Sequence, residues 1–102
     1  MKWYHYIAAF FAGAFLANTV PHFIHGVSGD PFPTPFSHPP GVGLSSPTTN
    51  VWWACFNLLV GYVLLRVSKT SSQNKLALII LFAGIIAMSV NLSVVFMGKM
   101  KM

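Results

Sequence analysis

The sequence predicts an all-α integral membrane protein with three transmembrane helices and a long Pro-, Gly- and Phe-rich extracytoplasmic loop between helices 1 and 2. The 102-residue chain is 55% hydrophobic and only 7% charged, whereas about a quarter of the residues in soluble domains are charged. The apolar residues form three blocks, 3–20, 51–67 and 76–97. Each block is close to the roughly 20 residues that cross a ~30 Å hydrocarbon core. We therefore expect one membrane domain over residues 1–102.

The first helix is expected over about residues 3–24. Three small residues follow one another at four-residue spacing in it, Ala9, Gly13 and Ala17. Such a stripe lets the backbone of another helix approach closely. Pro21 should end or kink the helix, because proline lacks the backbone donor and its ring collides with the preceding turn. If the helix continues, His22 and His25 lie on adjacent turns above Asn18.

The loop is expected over about residues 25–46, and its composition sets it apart from the rest of the chain. All seven prolines lie between Pro21 and Pro47, and the only acidic residue, Asp30, lies between them. The segment 32–36, Phe-Pro-Thr-Pro-Phe, should be extended. A freely solvated loop has no need of Phe32 and Phe36. We therefore expect the loop to fold over the helix ends or to enter the membrane interface.

The second helix is expected over about residues 47–68, with Ser46 as the N-cap and Pro47 at the first helical position. Five residues share one face of this helix, because they follow one another at intervals of three, four or seven residues. They are Asn50, Ala54, Asn57, Gly61 and Ser68. This polar and small-residue face predicts a packing surface.

The third helix is expected over about residues 75–97. Ala77, Gly84, Asn91 and Gly98 recur in it at intervals of seven, with Ala87 beside them. The connection between helices 2 and 3 is short, so we expect helix 2 to pack as an antiparallel neighbour of both helix 1 and helix 3.

The cations lie where the helices leave the bilayer, so the net charge of +5 indicates topology and not a nucleic-acid surface. On one side are Lys2, Arg66, Lys69 and Lys75; on the other are Lys99 and Lys101, with Asp30. Because positive charge accumulates in cytoplasmic loops, the prediction is a multi-pass protein of a bacterial-type cytoplasmic (inner) membrane with a cytoplasmic N-terminus.

Three carboxamides should reach a similar depth in this topology: Asn18, Asn57 and Asn91. Each needs a hydrogen-bond partner in hydrocarbon. Two interpretations stay open. The three carboxamides either hydrogen-bond to one another across the helices or form the polar floor of a pocket under the loop. The residues expected to bind a ligand or partner are Asn18, His22, His25, Phe32, Phe36, Asn57 and Asn91.

Chemistry beyond binding has little support in the residues. His22 and His25 could ligate a metal or haem, and Met97, Met100 and Met102 would emerge near them as soft ligands for Cu(I). No carboxylate or thiolate accompanies the two histidines as a further metal ligand. A single carboxylate in a loop does not provide the acid and base groups that catalysis usually needs. We therefore expect no enzyme activity, no catalytic residue, no metal and no cofactor.

The function that these features favour is a small membrane interaction protein, an accessory, assembly or stabilising subunit of a membrane complex or a homo-oligomer. Its partners would be the lipid bilayer and either copies of itself or a larger membrane complex, with no nucleic acid. One alternative is a homo-oligomeric channel or small-solute transporter lined by the asparagines. Another is a copper- or cofactor-binding membrane protein.

Overall fold

A computed structural model describes residues 2–97, which contain three helices. They are α1 (Trp3–Val27), α2 (Pro47–Ser68) and α3 (Lys75–Val95). All three are long and apolar enough to span a membrane, which confirms the all-helical class and indicates a multi-pass membrane protein. Helix α1 ends at Val27 and not near residue 24, and α3 ends at Val95 and not at residue 97.

Helix α1 continues past Pro21 for nearly two turns. Proline removes one backbone donor and leaves the carbonyl four residues earlier without its helical partner, yet the helix is not ended there. The consequence matters for the site, because Asn18 and His22 are held four residues apart on one face of a regular helix.

The start of α2 is as expected from the sequence. The Ser46 hydroxyl accepts a hydrogen bond from the Thr49 backbone N–H at 3.1 Å, and Pro47 occupies the first helical position. Ser46 satisfies a donor that the helix start would otherwise leave unpaired, and Pro47 needs none. The cap thus fixes where the loop stops and α2 begins.

Helix α1 lies between the other two. It packs against α2 in the antiparallel sense, with Gly26 near Pro47 and Val51 and with Leu16 against Gly61. It packs against α3 in the parallel sense, whereas α2 and α3 have almost no contact. The expectation that α2 and α3 are packed neighbours is therefore wrong.

Two glycines explain why α3 packs against α1. A methyl group at Gly84 would collide with the carbonyl oxygen of Phe10, and one at Gly13 would collide with the carbonyl oxygen of Leu81. Each glycine therefore allows backbone-to-backbone contact that any side chain prevents, as at close helix crossings in membranes. The predicted close-packing role of the stripe around Gly13 is confirmed.

Burial differs sharply between α2 and α3. The buried residues of α2 are the five that the spacing predicts: Asn50, Ala54, Asn57, Gly61 and Ser68. In α3 only Ala77 and Gly84 are buried, and Ala87 and Asn91 are exposed. Gly98, the next member of that series, lies outside the described residues. Most of α3 is thus an apolar surface that the described part of the chain does not cover.

Residues 28–46, which we call the cap, fold back across the loop-side ends of the helices. Its two arms pair where Phe32 and Ser45 exchange backbone hydrogen bonds of 3.1 and 3.0 Å. Between the arms, the Ser37 hydroxyl and the Gly41 N–H both donate to the carbonyl oxygen of Thr34, at 2.7 and 2.8 Å. Thr34 and Ser37 are buried. The cap therefore has its own internal hydrogen-bond network.

Candidate functional site

Asn50, in the first turns of α2, attaches the cap to the helices. Its amide nitrogen lies 2.9 Å from the carbonyl oxygen of Phe32 and 3.1 Å from that of Ser46, and its side chain is fully buried. Both arms of the cap are thereby tied to one side chain. A buried amide with satisfied donors is stabilising, and here it adds side-chain bonds to carbonyl oxygens that also accept from the backbone N–H groups of Ser45 and Asn50.

His22 on α1 completes this network. Its Nδ1 lies 2.7 Å from Asn50 Oδ1, and the ring is 2% exposed. Because the amide nitrogen of Asn50 donates to backbone carbonyls, Oδ1 is its acceptor end, so His22 Nδ1 must carry the proton. In the neutral imidazole the other nitrogen, Nε2, is then an acceptor. Within residues 2–97 it has no hydrogen-bond partner.

A second chain of amides lies deeper, one turn from His22 along α1 and two turns from Asn50 along α2. Asn57 donates to the carbonyl oxygen of Trp53 at 2.7 Å, and Asn18 donates to Asn57 Oδ1 at 3.0 Å. These directions fix how both amides are turned, since each nitrogen must face an acceptor. Asn18 Oδ1 is left as an acceptor without a partner in the described part of the chain. The two networks therefore end in one free acceptor each.

Aromatic rings pack the underside of the cap. Phe32 stacks on His25 at a centroid distance of 4.2 Å and tilts against Phe96 at 4.6 Å. On the other side, Phe36 meets Trp53 edge-on at 4.9 Å. Such ring pairs add about 0.5 to 1.5 kcal/mol each beyond their burial. The cap is thus held to all three helix ends by apolar contact as well as by Asn50.

A pocket of about 330 Å³ lies beneath the cap. Its back is Asn18 and His22 on α1, and its roof is formed by residues 33–35 and 40–41. Its sides are Trp53 on α2, Leu92 and Val95 on α3, and Phe96 directly after α3. This volume is at the lower end of ligand pockets, which span roughly 300 to 1,000 Å³. Since α2 and α3 scarcely touch, nothing in the described residues closes the gap between them.

The structure brings together most of the residues that the sequence singled out. Asn18 and His22 line the pocket, and Asn57 supports Asn18. His25 and Phe32 pack on each other next to it, and Phe36 packs on the outer side of Trp53.

Asn91 is the exception, and the expected meeting of three carboxamides is wrong. Asn91 is exposed on α3 and has no hydrogen-bond partner within residues 2–97. A seven-residue series drifts by about 20° per repeat around a straight α-helix. The third member therefore reaches the edge of the face that Ala77 and Gly84 bury against α1.

Metal ligation has little geometric support in the described residues. Within residues 2–97, no group of three or more His, Cys, Asp or Glu side chains is placed to hold a metal ion. His25 has Asp30 near it, with Nδ1 and Oδ2 3.9 Å apart. Met97 is exposed, and Met100 and Met102, two of the proposed copper ligands, lie outside the described residues.

The sequence does not predict a role in this site for three of its residues, Asn50, Trp53 and Phe96. Asn50 was recognised only as a member of the packed face of α2, although a buried amide just after a helix start must find several partners. Trp53 is one of two adjacent tryptophans near the start of α2, a pattern that is typical of the membrane interface and does not indicate a pocket. Nothing in the sequence indicates that Phe96 contacts the cap.

Comparison of the chain with family models, with curated proteins and with solved structures gave no match.

Proposed function

We propose that this chain is a non-enzymatic membrane interaction protein, a stabilising or accessory subunit that associates with copies of itself. The observation that supports this most strongly is a ridge on the uncovered side of α3. The ridge consists of Ala83, Ala87 and Asn91, all exposed and spaced four residues apart. Small residues at this spacing allow another helix to approach closely, and helix association in lipid depends on such packing.

Asn91 is the reason why we expect the partner of the ridge to be a second copy of this chain. It lies four residues before the end of α3, about 6 Å inside the helix end at 1.5 Å per residue. An amide exposed to hydrocarbon there is costly. A carboxamide both donates and accepts, so two Asn91 side chains related by a twofold axis satisfy each other. Isologous contacts of this kind are the commonest in oligomers.

The cap offers a second contact surface on the same molecule. Phe36, Val42 and Leu44 are 59%, 60% and 55% exposed, although the residues around them are hydrogen-bonded in place. An ordered segment that presents apolar side chains outward is typical of a contact with another protein or with the membrane interface.

The orientation that we propose places residues 2 and 69–75 in the cytoplasm of a bacterial-type cell and the cap outside its inner membrane. Lys2, Arg66, Lys69 and Lys75 lie at the end of the bundle opposite the cap, as the charge rule for cytoplasmic loops requires. Labelling Ser46→Cys and Ser72→Cys with a membrane-impermeant thiol reagent tests it. In intact cells only Ser46→Cys should react, and the reverse result contradicts the orientation.

The association is tested by oxidative cross-linking of single-cysteine variants. Cys55, which is exposed, is first replaced by serine. Ala87→Cys then places a thiol on the ridge, and Ile86→Cys places one at almost the same depth about 100° around the helix. Both positions are exposed, so they form a matched pair.

We expect Ala87→Cys to form a disulfide-linked dimer at low protein-to-lipid ratio and Ile86→Cys to remain mostly monomeric. Equal cross-linking at the two positions would indicate random collision and contradict the proposal. Adding Asn91→Leu to the Ala87→Cys variant should weaken dimerisation by roughly threefold to thirtyfold, which corresponds to the loss of about 0.6 to 2 kcal/mol for an interhelical hydrogen bond.

A further inference from the structure

The polar end of the pocket beneath the cap carries two acceptors. The His22–Asn50 network and the Asn18–Asn57 network each end in an acceptor that has no partner within residues 2–97. These acceptors are His22 Nε2 and Asn18 Oδ1, which belong to two residues that line the pocket one helical turn apart. A ligand that satisfies them must donate hydrogen bonds.

The residues that line the walls of the pocket favour a ligand that contains a ring. Trp53 and Phe96 bring aromatic surfaces to the pocket, and Leu92 and Val95 complete an apolar side. The Trp53 indole N–H is buried and has no partner within residues 2–97, so it is an additional donor beside the pocket.

The position of the pocket indicates the phase from which the ligand comes. Prolines of the cap, Pro33, Pro35 and Pro40, cover it on the loop side, and among residues 2–97 no Lys, Arg, Asp or Glu lines it. Helices α2 and α3 scarcely touch, so the route past them leads sideways along apolar helix surfaces. An uncharged molecule dissolved in the bilayer can follow that route.

We propose that the pocket binds the head of a neutral, lipid-soluble compound that carries a hydroxylated ring, the chemistry of phenols and quinols. Its hydroxyl donates to His22 Nε2 or Asn18 Oδ1, and its ring packs between Trp53 and Phe96. The volume of about 330 Å³ accommodates one ring and leaves the tail between α2 and α3. This site is independent of the α3 ridge, so either can fail without the other.

The test uses 4-octylphenol as the probe and the indole N–H signals of the ¹⁵N-labelled protein in detergent micelles as the readout. Trp53 reports on the pocket. Trp52 is its matched internal control, because it is the adjacent residue on α2 but is 73% exposed. The methyl ether of the probe, 4-octylanisole, keeps the ring, the oxygen and the tail but cannot donate a hydrogen bond.

We expect 4-octylphenol to shift the Trp53 signal saturably while the Trp52 signal stays nearly constant. The anisole should bind about tenfold more weakly, because a buried acceptor left without its donor costs about 1 to 3 kcal/mol. Equal affinities for the phenol and the anisole would overturn the hydroxyl assignment. Absence of a saturable Trp53 shift would overturn the site, and tighter binding of octyltrimethylammonium would overturn the neutral class.

Pocket-filling variants locate the binding. Leu92→Trp adds bulk to the pocket wall, whereas Ile86→Trp adds the same bulk on the exposed side of α3, away from both the pocket and the ridge. Binding should be lost in the first and kept in the second, with the Trp3 and Trp52 signals of both unchanged as evidence of folding. Val95→Phe, on the same wall, provides a milder second block if Leu92→Trp does not fold. Binding that survives both pocket variants would place the probe elsewhere and overturn the proposal.

Discussion

His22 Nδ1 lies 2.7 Å from Asn50 Oδ1, and this hydrogen bond joins α1 to α2 at the point where both support the cap. Asn50 also donates to the backbone of Phe32 and Ser46. The Asn50 amide thus determines the tautomer of His22. It also holds both arms of the cap in place, and with them the roof of the pocket. The cap has hydrogen bonds of its own at Thr34, and the buried Asn50 amide links that hydrogen-bonded loop to the helices.

Replacing Asn50 by leucine, which is similar in size, should release the cap. The change leaves His22 Nδ1–H unpaired, at about 1 to 3 kcal/mol for a buried group, and removes the side-chain bond to the Phe32 carbonyl oxygen, which keeps only its backbone bond from Ser45. We expect a lower unfolding midpoint in detergent and faster cleavage of residues 28–46 by added protease. Thr48→Leu is the matched control, because Thr48 is exposed in the same first turn. Equal protease resistance of the two variants would show that Asn50 does not hold the cap.

Asn18 and Asn57 should behave as a coupled pair, joined by a hydrogen bond of 3.0 Å near the middle of α2. A double-mutant cycle of Asn18→Leu and Asn57→Leu measures this in the free energy of unfolding. We expect a coupling of about 0.6 to 2 kcal/mol, the range for hydrogen bonds between membrane helices. The Asn57 change should cost more, because Asn57 also donates to the Trp53 carbonyl oxygen. A coupling of zero would contradict the pairing.

Gly84→Ala should detach α3 from α1. Alanine is favoured over glycine within a helix by about 1 kcal/mol, so propensity alone predicts a more stable protein. The added methyl group meets the Phe10 carbonyl oxygen, however, and overpacking costs about 1 to 3 kcal/mol. We therefore expect net destabilisation, measured as a lower midpoint of detergent unfolding. Val90→Ile adds one methyl group at an exposed site of α3 and should be neutral; a stabilised Gly84→Ala protein would refute the close crossing.

The number of helices and the buried face of α2 follow from the sequence because both depend on local patterns. Apolar blocks of spanning length give three helices, and the spacing of Asn50, Ala54, Asn57, Gly61 and Ser68 gives the face that is buried. The N-cap at Ser46 is equally local. In each case the determinant lies within one or two helical turns of the residue that it affects.

The partner of α3 and the position of Asn91 depend on long-range packing and were not predicted. The short connection favoured α2 as the neighbour of α3, but Gly13 and Gly84 permit a closer contact with α1. Asn91 consequently stays outside the Asn18–Asn57 pair. The anchoring role of Asn50 was missed for a related reason, since its partners Phe32 and His22 lie 18 and 28 residues away.

Self-association through the exposed ridge of α3 can be measured with a native mass spectrum from mild detergent. We expect a species at twice the 11.2 kDa chain mass or a higher multiple of it, and an Asn91→Leu protein shifted toward the single chain. A wild-type spectrum that contains only the 11.2 kDa monomer, at protein concentrations where the cap is intact by protease resistance, would contradict it.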